Sequence, residues 1–280
     1  MVPKCSIKQA LDQGMLQLSH KDTAKLECEI LMSNVVKKRR EYLYSHPEYL
    51  LDATEYSNFN SLIQKRASGF PVAYLTGSRE FWSIDIKVNK YTLIPRPETE
   101  CLVESVLKNI ETESKQKILD LGTGSGAIAI AIASERPMSQ ITAIDICPYA
   151  LDMAKDNANK NNVSNIDFLL SDWFSEINQT MFDVIISNPP YVESNCPGFI
   201  SGDIRYEPRL ALDGGSRGMD AYIRIIPGAI RYLKPGSMIA LEHGYLQGGM
   251  IHNCMSDNGY CDIQTIKDYA GNDRVTTGKI

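Results

Sequence analysis

From Lys117 onward the chain alternates short β-rich apolar runs with helical or loop stretches, the runs falling at 117–121, 140–144, 166–170, 182–187 and 238–241. That alternation predicts a parallel sheet with helices on both faces. One stretch conflicts with its own period. Ala127 to Ala133 alternates alanine and isoleucine as a strand would, but it follows a strand and a glycine loop. Alanine is the best helix former, so we expect a helix there, apolar all round and buried against the sheet. Upstream, residues 1–75 predict a small helical bundle. Leu26, Ile30, Leu31 and Val35 share one helical face, and Tyr56, Phe59, Leu62 and Ile63 another. Asp52 and Glu55 have the spacing of a capping box, and Ser45-His46-Pro47 breaks the two helices apart. Between these textures, Trp82 to Val88 is apolar at every second position, Asn89-Lys90 offers a turn, and Tyr91 to Ile94 a return strand. Pro95-Arg96-Pro97 stops it, and a helix is expected over 98–109. The organisation predicted is a helical domain at 1–75, a β-hairpin linker at 76–95 and an α/β domain at 96–280.

Composition narrows the class. The 280 residues suit two domains, or one with an appendage. The longest purely apolar run, Ala127 to Ala133, is far short of the roughly 20 residues that span a bilayer. The start, Met1-Val2-Pro3-Lys4-Cys5, carries no apolar segment that could direct secretion. Seven cysteines, an odd number without a C-x-x-C pair, read as reduced thiols of a cytoplasmic protein. Four scattered histidines give no zinc spacing, so no metal is expected. Residues 1–75 hold 10 Lys+Arg and 8 Asp+Glu, a balance of +2, which leaves −7 of the total −5 for the rest. An acidic catalytic domain argues against gripping nucleic acid by its backbone charge.

The first candidate site is Asp120-Leu121-Gly122-Thr123-Gly124-Ser125-Gly126, at the end of the first strand of the series. Glycines let a backbone approach a ligand closely, and the following helix offers free N–H groups. Nineteen residues past Gly126, Asp145 ends the next strand, where its carboxylate can accept both hydroxyls of a ribose. These features describe a ligand bearing adenosine. Gly122, Gly124 and Ala127 also satisfy the dinucleotide pattern, so an NAD reading stays open beside a methyl donor with an amino-acid tail. Asp172-Trp173 follows the third strand. A Trp there can lie on the purine, with the acid accepting from its amino group, or it can simply be a partly buried core residue.

The second site is Asn188-Pro189-Pro190-Tyr191, closing the strand Val184-Ile185-Ile186. Proline cannot continue a central strand, so the chain leaves the sheet at its ligand-binding edge. Neither proline has an N–H, so the turn offers carbonyls; Asn188 adds a side-chain carbonyl and Tyr191 an aromatic face. A planar NH2 group fits, one N–H on the Asn188 side chain, the other on the Pro189 carbonyl, its plane stacked on Tyr191. Accepting both protons polarises a nitrogen whose lone pair is otherwise delocalised, and no His or Lys base is then required.

The glycine loop, Asp145 and the Asn-Pro-Pro-Tyr turn together resemble class I methyltransferases dependent on S-adenosylmethionine that modify a planar NH2. Further stretches resemble the bacterial release-factor glutamine N5-methyltransferases (the PrmC/HemK family). They are Gly77-Ser78-Arg79-Glu80-Phe81-Trp82, Ile94-Pro95-Arg96-Pro97-Glu98-Thr99-Glu100, Tyr206-Glu207-Pro208-Arg209-Leu210-Ala211-Leu212, Leu241-Glu242-His243-Gly244, and Asp268-Tyr269 with Asp273-Arg274-Val275. The likeness runs over essentially the whole chain. It implies a Rossmann-like, mostly parallel seven-stranded sheet, and as substrate the Gly-Gly-Gln glutamine of class 1 peptide chain release factors, with S-adenosylhomocysteine as product. It implies cofactor contacts at Gly122, Thr123, Gly124, Ser125, Gly126, Asp145, Trp173 and Asn188, and substrate contacts at Asn188, Pro189, Pro190 and Tyr191. It makes residues 1–75 the release-factor-recognition domain of a monomer that binds neither membrane nor nucleic acid. The alternative is methylation of an exocyclic amine in RNA or DNA. Lys37-Lys38-Arg39-Arg40 reads as a solvated helix face or a patch for an acidic partner, His243 as a structural residue, and Asp213-Gly214-Gly215-Ser216 as a loop or a mobile lid. Whether Arg96, Thr99 and Asp172 reach the pocket is left open.

Overall fold

The computed structural model describes residues 5–200 and 203–280. Residues 1–4, read above as lacking a secretory segment, lie outside the described residues. Two compact units are formed.

The first unit holds five helices, α1 (Ile7–Gln17), α2 (Ala24–Val36), α3 (Arg40–Ser45), α4 (Ala53–Ala67) and α5 (Val72–Thr76), together with a 3-10 turn at Asp203–Tyr206. Capping boxes open two of them. Ser6 and Gln9 exchange side-chain and backbone bonds at α1, and Asp52 and Glu55 do so at α4, where Glu55 N donates to Asp52 Oδ1 at 2.7 Å. The core is Ile7, Leu18, Cys28, Leu31, Met32, Phe59 and Ile63.

Helix α2 buries a different face from the one its apolar spacing predicts. Leu26 is 41% exposed, and the buried side is Glu27, Cys28, Leu31 and Met32. The cause is an ion cluster that apolar spacing does not reveal. Arg66 of α4 is buried and grips Glu27 with two N–H groups, at 2.7 and 2.8 Å, while its Nη1 lies 2.9 Å from Asp203. Burial pushes the Glu27 carboxyl up, but Arg66 outweighs it and holds the pKa below the usual range. The Lys37–Arg40 run is likewise not a helix face. Lys37 caps α2 in the left-handed region, and Arg40 opens α3 with its guanidinium 2.6 Å from buried Glu29. Removing one partner of a buried pair costs about 3–5 kcal/mol, whereas replacing both is nearly neutral. Arg66→Met should therefore lose that much in urea denaturation followed by circular dichroism, and the double variant Arg66→Met/Glu27→Met should regain most of it.

The second unit opens with a hairpin of β1 (Ser78–Phe81) and β2 (Ile84–Lys87). The hairpin was expected, but its register differs. The turn is Trp82-Ser83, both at positive φ (53° and 57°), and Tyr91–Ile94 is not a strand. Two residues in the left-handed region give a turn whose twist matches its strands, and it is normally built from Gly or Asn. Trp82 tolerates it because its backbone N–H donates to Glu100 and its indole N–H to Glu135, both at 2.9 Å. The hairpin is tied into this unit at Lys87, whose N–H and carbonyl bond the Asn157 side chain at 2.8 and 2.9 Å.

A 3-10 turn (Pro97–Thr99) then leads into α6 (Glu100–Leu107), and an alternating series follows: β3 (Lys117–Leu121), α7 (Ala127–Glu135), β4 (Gln140–Asp145), α8 (Pro148–Lys160), β5 (Ile166–Leu170), β6 (Phe182–Ser187), α9 (Tyr222–Ala229), β7 (Leu233–Glu242), α10 (Gly248–Asp257), β8 (Cys261–Lys267) and β9 (Asp273–Lys279). The seven-stranded sheet has the order β5-β4-β3-β6-β7-β9-β8, parallel except that β9 runs antiparallel to β7 and β8. The Ala127–Ala133 run is helical and wholly buried, as expected. Chain order reverses between β3 and β6, so a crevice opens at their carboxyl ends, where an open α/β sheet binds its ligands. Among the described residues no helix is long and apolar enough to cross a membrane, and all seven cysteines are free thiols.

Candidate active site

A cavity of about 550 Å³ occupies that crevice, within the usual size of small-molecule sites. One wall is the β3–α7 loop. Gly122, Gly124 and Gly126 all have positive φ (73°, 57° and 81°), which lets the loop turn inside the width of one strand end. At Gly124 the gain is an N–H that donates to Asp145 Oδ2 at 2.8 Å. At Gly126 the need is packing, since a Cβ there would lie 3.0 Å from the Ala154 methyl on α8. Asp145, ending β4, also accepts Cys147 N–H on Oδ1 at 2.8 Å. Each carboxylate oxygen keeps one lone pair, so a diol can still be held. Beyond it Ile146, half exposed, lines the rim, and the Trp173 ring lies against Gly122, 3.7 Å from where a Cβ would stand.

The opposite wall is the Asn188-Pro189-Pro190-Tyr191 turn leaving β6. Asn188 Nδ2 donates to Thr99 Oγ1 at 3.2 Å, which leaves its Oδ1 as the acceptor. Gly214 packs so tightly on the turn that a Cβ would meet the Pro190 carbonyl at 2.7 Å. The loop reading of residues 213–216 holds, and the segment is anchored. Asp213 accepts from Ser194 and from Gly215 N–H, at 2.5 and 3.0 Å, and Val192 and Gly214 are bonded through backbone atoms at 2.8 Å.

Two family models match the chain, the PrmC N-terminal domain over residues 9–77 and the methyltransferase small domain over residues 99–197. A release factor glutamine methyltransferase of Aliivibrio fischeri is 43% identical over 265 residues, covering 94% of this chain and 93% of that protein. The chain belongs to the release factor glutamine methyltransferase family. The protein of the same name from Escherichia coli K12 is 40% identical over 96% of this chain and 97% of its own length. Solved structures show the fold alone. A methyltransferase from Pyrococcus furiosus matches with a TM-score of 0.53 at 20% identity, over 80% of this chain and 98% of its own. A 16S rRNA methyltransferase of Thermus thermophilus, in complex with AdoMet and guanosine, matches with 0.51 at 17% identity, over 72% and 49%.

In this release factor glutamine methyltransferase family member, S-adenosylmethionine is the methyl donor, and the cavity has the chemistry to hold it. There is a loop in which glycine alternates with small hydroxyl residues, an acid with free lone pairs for a ribose, an apolar rim at Ile146, and the Trp173 ring. Of the residues singled out from sequence, Gly122, Thr123, Gly124, Ser125, Asp145, Trp173, Asn188 and Pro190 line the cavity. Gly126, Pro189 and Tyr191 do not. Gly126 serves helix packing, Pro189 is buried in the turn, and the Tyr191 ring packs on the sheet core with its hydroxyl 3.5 Å from Glu242 Oε1. A tyrosine face free to stack on a substrate plane is therefore not what the structure presents; core packing has claimed the ring.

Arg96, Thr99 and Asp172 all reach the cavity wall. Asp172 is engaged by Arg224 at 2.9 Å, and Arg96 is fastened to Glu207, a buried acid that also accepts Ile94 N–H at 3.0 Å. His243 is structural as expected, fully buried with both ring nitrogens hydrogen-bonded.

Two buried acids were not singled out as site residues. Asp120 is fully buried with Oδ2 on the Thr123 hydroxyl at 2.7 Å, and Glu242 is 1% exposed at the end of β7. Asp120 Oδ1 and Glu242 Oε2 have no hydrogen-bond partner among the described residues. Burial pushes each carboxyl up to about 7. Both folded pKa values exceed the unfolded ones near 4, so the folded form holds these protons more tightly, and the stability they contribute is lost as pH rises from about 4 through about 7. His243, whose pKa burial lowers, opposes this slope below about 6.5, one proton against two. The thermal midpoint of the ligand-free protein should fall between pH 5 and pH 8, and Asp120→Asn should flatten that fall in differential scanning calorimetry.

Proposed function

We propose that this enzyme transfers a methyl group to the side-chain amide nitrogen (N5) of the glutamine in the Gly-Gly-Gln motif of class 1 peptide chain release factors, giving N5-methylglutamine. The observation that carries the proposal is the position of Asn188, across a single cavity from the glycine loop and Asp145, with its amide nitrogen occupied by Thr99 and its carbonyl left to accept. When bound, S-adenosylmethionine supplies a sulfonium methyl already activated toward a nitrogen nucleophile and leaves as S-adenosylhomocysteine. The protein's own part is positioning. Asn188 Oδ1 accepts one proton of the substrate carboxamide and the Pro189 carbonyl the other, which fixes the nitrogen and draws density toward it. Proximity and orientation can contribute about 7–11 kcal/mol in favourable cases. The sulfur–methyl bond breaks as the N–C bond forms, and the methylated nitrogen then releases one of its two protons to water. Cofactor contacts are assigned to Gly122 through Ser125, Asp145, Trp173 and Asn188, with Gly126 holding the loop against α8, and substrate contacts to Asn188, the Pro189 carbonyl and Pro190, with Tyr191 shaping the turn from the core side.

The proposal takes residues 1–75 as the release-factor-recognition module and places the reaction in the cytoplasm, on a monomer that binds no nucleic acid. Incubating the enzyme with labelled methyl donor and either release factor or total RNA tests it. Label on the Gly-Gly-Gln glutamine, located by mass mapping, is the expected result. Label in RNA alone would overturn the proposal in favour of an exocyclic amine.

A further inference from the structure

Asn188 has to present a carbonyl to the cavity, because a substrate carboxamide nitrogen brings only donors. The two ends of an Asn side chain are nearly the same size, so packing alone does not choose between them. The choice falls on Thr99, buried at 4% exposure, whose Oγ1 accepts from Asn188 Nδ2 at 3.2 Å. A hydroxyl that accepts from an amide still needs an acceptor for its own proton. That acceptor stands behind it. The Glu242 carboxyl stands beside the Thr99 hydroxyl, receives the Tyr191 hydroxyl on Oε1 at 3.5 Å, and keeps Oε2 buried with no hydrogen-bond partner among the described residues, a free acceptor next to a hydroxyl that needs one. The register of β6 on β7, with Ser187 opposite Leu241, brings Glu242 beside the Asn-Pro-Pro-Tyr turn.

We propose that Glu242, acting through the Thr99 hydroxyl, is a positioning residue for methyl transfer: its carboxylate accepts a hydrogen bond from the Thr99 O–H, and Thr99 thereby holds the Asn188 carboxamide with Oδ1 toward the cavity. The proposal rests on the reading of Asn188 as the acceptor for the substrate amide. A protonated Glu242 reverses the polarity. It donates to Thr99, Thr99 donates to Asn188 Oδ1, and the side chain turns its NH2 to the substrate, where donor meets donor. Around the carboxyl stand Glu98 beside Thr99, Cys101 on α6, Tyr191 after β6, Tyr222 on α9 and Arg274 on β9. Arg274 favours the ionised form and Glu98 opposes it, while burial sets the balance near neutrality. Turnover should accordingly rise with pH through about 7, since the ionised carboxylate is the working form.

The test measures kcat against pH with release factor as substrate, and S-adenosylhomocysteine affinity by calorimetry, for the wild type, Thr99→Val, Thr99→Ser, Glu242→Gln and Asn188→Ala. Thr99→Val should lower kcat about 10–100-fold, less than loss of a direct contact, with cofactor affinity kept within about threefold, and Thr99→Ser should recover most of the loss. Glu242→Gln should lower kcat and abolish the acid limb. A wild-type profile flat between pH 6 and 8 overturns the relay without recourse to any variant, and so does wild-type kcat in Thr99→Val. If Asn188→Ala itself turns over at full rate, it is the underlying reading of Asn188 that fails, whatever Thr99 and Glu242 do.

Discussion

Asn188→Ala is expected to turn over about 10²–10³-fold more slowly than the wild type, the cost of losing one preorganised polar contact, while binding S-adenosylhomocysteine within a few-fold. The effect should fall on kcat. The Asn188 carbonyl is aimed at a nitrogen whose lone pair becomes available only as the reaction proceeds, so the contact strengthens toward the transition state. Truncation to alanine removes the acceptor and leaves Thr99 Oγ1 without the N–H it now receives at 3.2 Å. It leaves β6 intact, because the strand is held on both sides by β3 and β7 and ends at Ser187, whose hydroxyl donates to the Leu121 carbonyl at 2.7 Å. Steady-state kinetics with release factor, paired with calorimetric titration of the cofactor product, separates the two quantities. Full kcat in the alanine variant would refute the amide clamp.

What could be read from the sequence was whatever a period or a covalent peculiarity announces. The parallel strands β3 to β6 stood out because strands buried on both faces are apolar runs, and the Asn188–Tyr191 turn because two prolines cannot stay in a sheet. The antiparallel pair β8 and β9 escaped notice for the opposite reason. β8 lies at the sheet edge, and residues such as Asp262, Gln264 and Thr265 are exposed, so it lacks the apolar run of its neighbours. The hairpin was found but placed one turn late, since Trp82-Ser83 is not the Asn-Gly type that left-handed turns advertise. The α2 face was misjudged because Glu27 and Glu29 are buried by cations from α4 and α3, partners that lie 39 and 11 residues away. Thr99 and Glu242 are of the same kind. They are 143 positions apart and meet only because the 3-10 turn and the end of β7 both reach the carboxyl edge of the sheet.

Asp145→Ala should weaken S-adenosylhomocysteine binding about 10²–10³-fold and raise the KM for the methyl donor in parallel, with a smaller loss of kcat at saturating donor. Hydrogen bonds to a charged group are worth about 1.5–3 kcal/mol each, and every 1.4 kcal/mol is tenfold in affinity. Two ribose hydroxyls on one carboxylate could thus supply more than the stated loss. Part of it is recovered, because the Gly124 and Cys147 N–H groups that now donate to Asp145 at 2.8 Å can turn to water in the variant. The same two bonds explain why Asp145→Asn is expected to be no milder. An amide placed there sets its own NH2 against one of those backbone donors, so the glycine loop loses an anchor while the ribose loses an acceptor. Burial already pushes the Asp145 carboxyl upward, and the Cys147 and Gly124 N–H groups pull it back toward the ionised form that a diol needs. Fluorescence titration, with Trp173 against the loop as reporter, gives the dissociation constant directly. A variant that bound the cofactor product as tightly as the wild type would mean the adenosine lies elsewhere than along β3 and β4.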